Sequence, residues 1–218
     1  MSASKTRERC KRWMIFFLGL FFMGNGIAMV TNAQLGTTPI SSVPYVVGKI
    51  FGFSIGTGTF TVNIFMLLAQ IPLLGKTFRP RQFLQLPCLF VFSLFIDLGI
   101  WITHSLIPEV WSMCILMTLT GCLIMAFGIM LEITSSTMVI PGEGFVLALA
   151  YRTRLPFANL KVINDVSLVA LAAVLGWFFL GKIDGLREGT IITAFLTGVF
   201  IRFFSRCFRM RIETWFKR

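Results

Sequence analysis

Leu35-Gly36-Thr37-Thr38-Pro39-Ile40-Ser41-Ser42-Val43-Pro44 and, 102 positions on, Thr137-Met138-Val139-Ile140-Pro141-Gly142-Glu143-Gly144 decide how this chain is read. Each stretch interrupts a long apolar run with polar residues and a proline. The sequence repeats around them. At the same offset Gly19 falls on Gly121, Gly26 on Gly128, Ile27 on Ile129 and Pro39 on Pro141. With four extra residues in the second copy, Leu74-Gly75-Lys76 falls on Leu180-Gly181-Lys182 and Arg81 on Arg187. A duplicated apolar unit, broken at the same place in both copies, is the layout of a transporter built from two repeats.

The solvent around this unit must be lipid. The chain of 218 residues is 56% hydrophobic and 13% charged, with a mean hydropathy of +0.83; an ordinary soluble domain carries about 25% charge. A hydrocarbon core about 30 Å thick needs roughly 20 apolar residues per helix. Six segments qualify, at 13–31, 57–75, 83–103, 110–131, 162–181 and 189–205. The expected fold is all-α, one polytopic membrane domain in two repeats, 13–106 and 107–206. A basic cytoplasmic N-terminus, 1–12, and a basic cytoplasmic tail, 207–218, flank them.

Charge sets the orientation. With a cytoplasmic N-terminus and alternating spans, 17 of the 20 Lys and Arg residues lie inside, and only Lys49, Lys182 and Arg187 lie outside. The positive-inside rule absorbs the net charge of +11 without nucleic acid. The basic tail is left with anionic lipid headgroups as its simplest partner. The basic N-terminus runs straight into a full-length span with no small-residue cleavage site, so it is not read as a removable signal peptide. The expected location is the plasma or inner membrane, multi-pass, with both termini cytoplasmic. Cys10, Cys88, Cys114, Cys122 and Cys207 make no metal-type spacing, so neither metal, cofactor nor structural disulfide is expected.

Three spans per repeat is an odd number, so the second repeat enters the membrane from the opposite side and the two are inverted. Between the first and second span of each repeat lies a piece too short to cross, read as a re-entrant half-helix over 39–52 and 141–152. Proline is favoured in a first helical turn, and Thr38 is a natural cap before it. Symmetry brings the two helix starts, with their unpaired N–H groups and partial positive charge, towards each other near the midplane. Two other readings stay open. Both pieces are surface loops, or both cross fully; the latter moves Lys76, Arg79 and Arg81 outside, against the charge bias.

Ala33-Gln34-Leu35-Gly36-Thr37-Thr38-Pro39, with Ile96-Asp97-Leu98 closing the third span and Gly189-Thr190 opening the last, resembles the YczE/YyaS/YitT-type family of bacterial membrane proteins. These share a small-residue-rich first span, a Leu-Gly-x-x-Pro turn and a similar second half. The resemblance covers about residues 14–205 and implies a bacterial integral membrane protein, with no particular chemistry. Ser41 and Ser42 stand where such proteins often carry Asp. Ile140-Pro141-Gly142-Glu143 stands in place of a Gly-Pro-Arg-Asp-like turn.

Ionisable groups inside a membrane are costly unless paired or wet, which makes them functional candidates. The candidate solute site is Thr38, Ser41 and Ser42 on one side and Gly142 and Glu143 on the other, with Asn63 and Asp165 as walls. Asp97, near the outer end of the third span, is the candidate for coupling or a second site. Glu132 reads as interfacial. Asn25, Asn32, Asn63 and Gln70 read as interhelical hydrogen-bond partners. Gly52-Phe53-Ser54-Ile55-Gly56-Thr57-Gly58-Thr59 lacks the Gly-Lys-Ser/Thr ending of a phosphate loop and reads as an outer turn.

The leading function is a transporter or permease for a small polar solute; helix N-termini favour an anionic group. The alternative is a non-transporting membrane subunit, or a substrate-binding component that works with partner proteins. A homodimer or an accessory subunit is left open. An enzyme is not expected: there is no Ser/His/Asp set, and the single His104 lies in the loop 104–109.

Overall fold

The computed structural model describes the backbone of residues 2–217 and the side chains of 5–157 and 159–216. Its elements are α1 (Ser2–Asn32), α2 (Pro39–Phe51), α3 (Ile55–Leu74), α4 (Gln85–Thr103), α5 (Trp111–Ser135), α6 (Pro141–Thr153), α7 (Phe157–Leu175) and α8 (Glu188–Lys217). Short 3₁₀ turns cover Gly75–Thr77, Pro80–Leu84 and His104–Leu106, and α7 runs on into a π-helical turn at Gly176–Leu180. Six helices are long and apolar enough to cross a membrane. The other two, α2 and α6, have 13 residues each, about 20 Å at 1.5 Å per residue.

Both short helices begin where the prolines require. Pro39 and Pro141 occupy the first turn, and Thr38 and Ile140 before them are extended, as a residue preceding proline must be. Thr38 sits at the cap position, but its hydroxyl makes no capping bond to the backbone. The ends differ in means: α2 stops at Gly52 and α6 at Arg154, both left-handed.

Several helices overrun the sequence boundaries. α1 and α8, 31 and 30 residues long, continue through the basic segments expected as separate tails. No proline or glycine breaks either junction. Ion pairs one turn apart, Arg12 to Glu8 and Arg209 to Glu213, both at 2.8 Å, suit the helix there. Lys11 lies over the Trp215 ring and donates to the Trp215 carbonyl, and Arg12 covers Phe216, so the two extensions are packed together. At its start α7 takes in 157–161, and at its end α5 takes in Glu132.

Packing follows the small residues. α1 and α5 cross antiparallel: a Cβ at Gly19 would lie 2.8 Å from the Gly128 carbonyl oxygen, and one at Gly26 would lie 2.7 Å from that of Gly121. Only glycine allows backbones this close, which is how membrane helices gain contact where lipid offers no hydrophobic drive. Around this pair α1 carries α4, and α5 carries α8. Each short helix packs on a span from the other half: α2 on α7, and α6 on α3. Phe16, Leu20, Met23 and Ile27 of α1 meet Leu89, Phe92 and Ile96 of α4 in the main core. Val43 and Val46 of α2 meet Leu168 and Ala172 of α7 in a second. α7 and α8 hardly touch.

Candidate functional site

The gap left between α7 and α8 belongs to a hollow of about 560 Å³ that reaches the start of α2 and the first turn of α6. Most of its wall is apolar, from Met23, Ile27, Phe92, Met125 and Ile129. A few polar groups converge on it: Thr38, Ser41, Thr59, Asn63, Glu143, Lys161 and Asp165, with Thr193, Thr197 and Arg202 from α8. An apolar pocket of a few hundred Å³ with a few placed polar groups is the usual form of a small-molecule site. A second hollow, between Pro72–Thr77 and the end of α6 at Tyr151, Arg152 and Arg154, lacks buried polar convergence and carries only surface basic residues.

Thr38 and Ser41 are buried, and their hydroxyl oxygens lie 2.5 Å apart. Ser41 also bonds the Thr38 carbonyl. Asn63 donates its amide to the Thr59 carbonyl at 2.9 Å, leaving Oδ1 buried and without a partner. Glu143, in the first turn of α6, likewise has an unpartnered buried Oε2. Asp165 accepts from Lys161 at 2.9 Å, one turn back on α7.

Two expected members do not line the hollow. Ser42 turns back onto the Pro39 carbonyl at 2.7 Å. One residue along a helix rotates the side chain by about 100°, so Ser41 and Ser42 cannot face the same way. Gly142 abuts other helices instead: a Cβ there would meet Ile40 Cδ1 at 3.0 Å and Asn63 Oδ1 at 3.3 Å. Asp97 is also outside the hollow. Its carboxylate takes Ser54 Oγ and the Gly56 N–H, both at 2.7 Å, and so braces the start of α3. That is a structural role.

Lys161, which the expected span 162–181 leaves just outside, lies within α7 and lines the hollow. Its signal was present: Lys161 and Asp165 are four apart, the spacing of a helical ion pair. Glu132 is a second correction. It is not interfacial but 1% exposed, and its Oε1 accepts the Ile140 N–H at 3.1 Å, which pins the chain just before Pro141. Gln70 holds the same point from α3 through the Pro141 carbonyl, at 3.2 Å. Asn32 also bonds between helices, to α4. Asn25 and Asn63 donate within their own helices.

The turn before α2 is held by the turn before α8. Thr37 donates twice to the Gly185 carbonyl, and the Gly189 N–H donates to Leu35. Gly36, at φ +112°, fits under Thr190 Oγ1 where a Cβ would come within 2.5 Å. Lys49 pairs with Asp184 at 3.2 Å. Partial burial works against the charge on Asp184, but the hydrogen bond and charge of Lys49, with Lys182 and the Gly185 N–H, hold its carboxyl below the usual range.

Six helices long and apolar enough to cross a membrane make this a multi-pass membrane protein. Over residues 10–206 the chain matches a family of unknown function, DUF6198, and belongs to it. No curated protein and no solved structure matches the chain.

Proposed function

We propose that this protein is a membrane transporter or permease for a small polar solute, bound in the hollow between the starts of α2 and α6. The observation that carries the reading is the hollow itself. It joins the first turns of two short helices from different halves to buried polar groups that have no structural partner. In lipid, unpaired groups at depth call for a ligand, water or a side chain.

The same reading makes α2 and α6 re-entrant and the halves inverted repeats. The contacts support this. Gly19 meets Gly128 as Gly26 meets Gly121, and the repeat offset pairs Gly19 with Gly121 and Gly26 with Gly128. A two-fold operation therefore exchanges the two contacts. It likewise exchanges α2 on α7 with α6 on α3, and α1 on α4 with α5 on α8. The charge bias favours cytoplasmic termini, and the resemblance to the YczE/YyaS/YitT-type proteins supports a bacterial membrane. The hollow extends to Phe157 and Arg202, at the start of α7 and towards the basic tail of α8, so the solute enters from the cytoplasmic side.

One observation favours the alternative of a membrane subunit working with a partner. α8 presents Ile191, Phe195, Val199 and Phe203 outwards, a surface that suits another protein as well as lipid. The test is a solute screen by melting temperature on purified protein, followed by uptake of the stabilising solute into vesicles. Saturable uptake is expected. A solute that binds but is not carried, with a partner copurifying in fixed ratio, favours the subunit.

A further inference from the structure

Asn63 and Glu143 line the hollow, and each leaves a buried acceptor oxygen without a partner. Asn63 is 2% exposed. Its amide NH₂ is committed to the Thr59 carbonyl at 2.9 Å, which fixes which way the amide points, and Oδ1 is left bare. Glu143 Oε2 is equally bare. Asn63 packs against the first turn of α6, which also carries Glu143: a Cβ at Gly142 would lie 3.3 Å from Asn63 Oδ1. Both residues line the hollow. The charge of Lys161 acts on Glu143 from nearby but does not bond it. Lys161 is engaged by Asp165 at 2.9 Å, and among the described residues no ion pair is made to Glu143. The Thr38 and Ser41 hydroxyls at the start of α2 bond each other.

We propose that the solute carries a protonated amine and that Asn63 Oδ1 and Glu143 Oε2 receive it. This rests on the reading of the hollow as a solute site and names the chemistry of that solute. An ammonium group has three donors and no acceptor, the complement of two bare acceptors of which one is a carboxylate. Hydrogen bonds to a charged partner are the stronger kind. A solute carboxylate at the same place meets Glu143 as a like charge, so an anionic group of the same solute belongs at the start of α2, where the helix N-terminus offers positive potential. The hollow, at about 560 Å³, suits a small molecule.

The experiment uses the full chain in detergent at constant ionic strength. Methylammonium, ethanolamine and glycine are compared with acetate and acetamide by the shift in melting temperature. The amines are expected to stabilise saturably, and acetate and acetamide are not. Glu143→Gln weakens each amine about 10- to 150-fold, because it removes the negative charge and turns one acceptor oxygen into a donor. Asn63→Asp, which keeps an acceptor and adds charge, tightens it, and Asn63→Ala weakens it. If Glu143→Gln fails to fold, the two Asn63 variants decide. Stabilisation by acetate or acetamide but by no amine overturns the proposal, and if Ser41→Ala abolishes that effect the hollow still holds a solute. Stabilisation by no probe, or amine binding unchanged in these variants, also overturns it. Amines that bind through Glu143 but never cross vesicles leave the amine site standing and sink transport.

Discussion

Replacing Lys161 by Met and Asp165 by Leu together should cost less than the two single replacements added. The pair spans 2.9 Å, with side chains 27% and 26% exposed, so it is neither fully buried nor free in water. Breaking a buried pair by removing one partner costs about 3–5 kcal/mol, and an exposed pair is worth about 0.2–1 kcal/mol. For a pair beside the hollow we take about 2 kcal/mol for Lys161→Met. Its removal leaves Asp165 unpaired and Glu143 and Glu132 without the nearby charge. In a chain of this size that corresponds to a melting temperature lower by about 4–8 °C. Asp165→Leu alone strands the lysine and costs a similar amount. In Lys161→Met/Asp165→Leu neither charge remains, and the loss should fall below the sum of the singles by about 1–2 kcal/mol. The assay is a double-mutant cycle by equilibrium unfolding in mixed detergent, with melting temperatures alongside. Losses that add within about 0.5 kcal/mol would refute the reasoning, because independent sites behave that way.

Gly26→Ala should destabilise the protein by about 1–3 kcal/mol, since the new methyl meets the Met125 backbone N and lies 2.7 Å from the Gly121 carbonyl oxygen. Gly198→Ala, with open space around it, should be neutral in the same unfolding assay. Asp97→Asn keeps one of two bonds to the start of α3 and should cost about 1 kcal/mol, leaving solute binding by calorimetry unchanged. Asp184 has a lowered pKa in the folded state. Its contribution is therefore present above the ordinary carboxylate pKa and is lost as pH falls through the lowered folded value. Melting temperatures taken down the acid range should show this loss in the parent protein and not in Asp184→Asn.

Much of the layout was legible because its signals are local. Pro39 and Pro141 mark where a helix must start, and long apolar runs mark spans, so six long helices and two short ones were legible, although α1 and α8 run on through the basic segments expected as separate tails. The errors have physical causes. Lys161 was left just outside a span because a charge was taken as a boundary of lipid. In the fold that charge is matched by Asp165 and faces the hollow. Glu132 was read as interfacial because sequence does not show that the chain returns over it to offer the Ile140 N–H. Ser42 was grouped with Ser41 because both are hydroxyls, while helix geometry sends them to different faces. Asp97 drew attention as an intramembrane acid, yet its carboxylate braces the start of α3 through Ser54 and Gly56. The unpartnered oxygen of Asn63 had no sequence signal at all, since it depends on which carbonyl takes the amide.

The central claim is that the starts of α2 and α6 share one hollow, and thiol labelling from each side of the membrane tests it most directly. Ser41→Cys and Glu143→Cys would each be made in a chain whose five native cysteines are replaced, then exposed to a small charged, impermeant reagent from either face. If the two helix starts meet at one solute site, both positions react from the cytoplasmic side, and an added stabilising solute protects both. If α2 and α6 are surface pieces on opposite faces, position 41 reacts only from outside and position 143 only from inside, and that result would contradict the account.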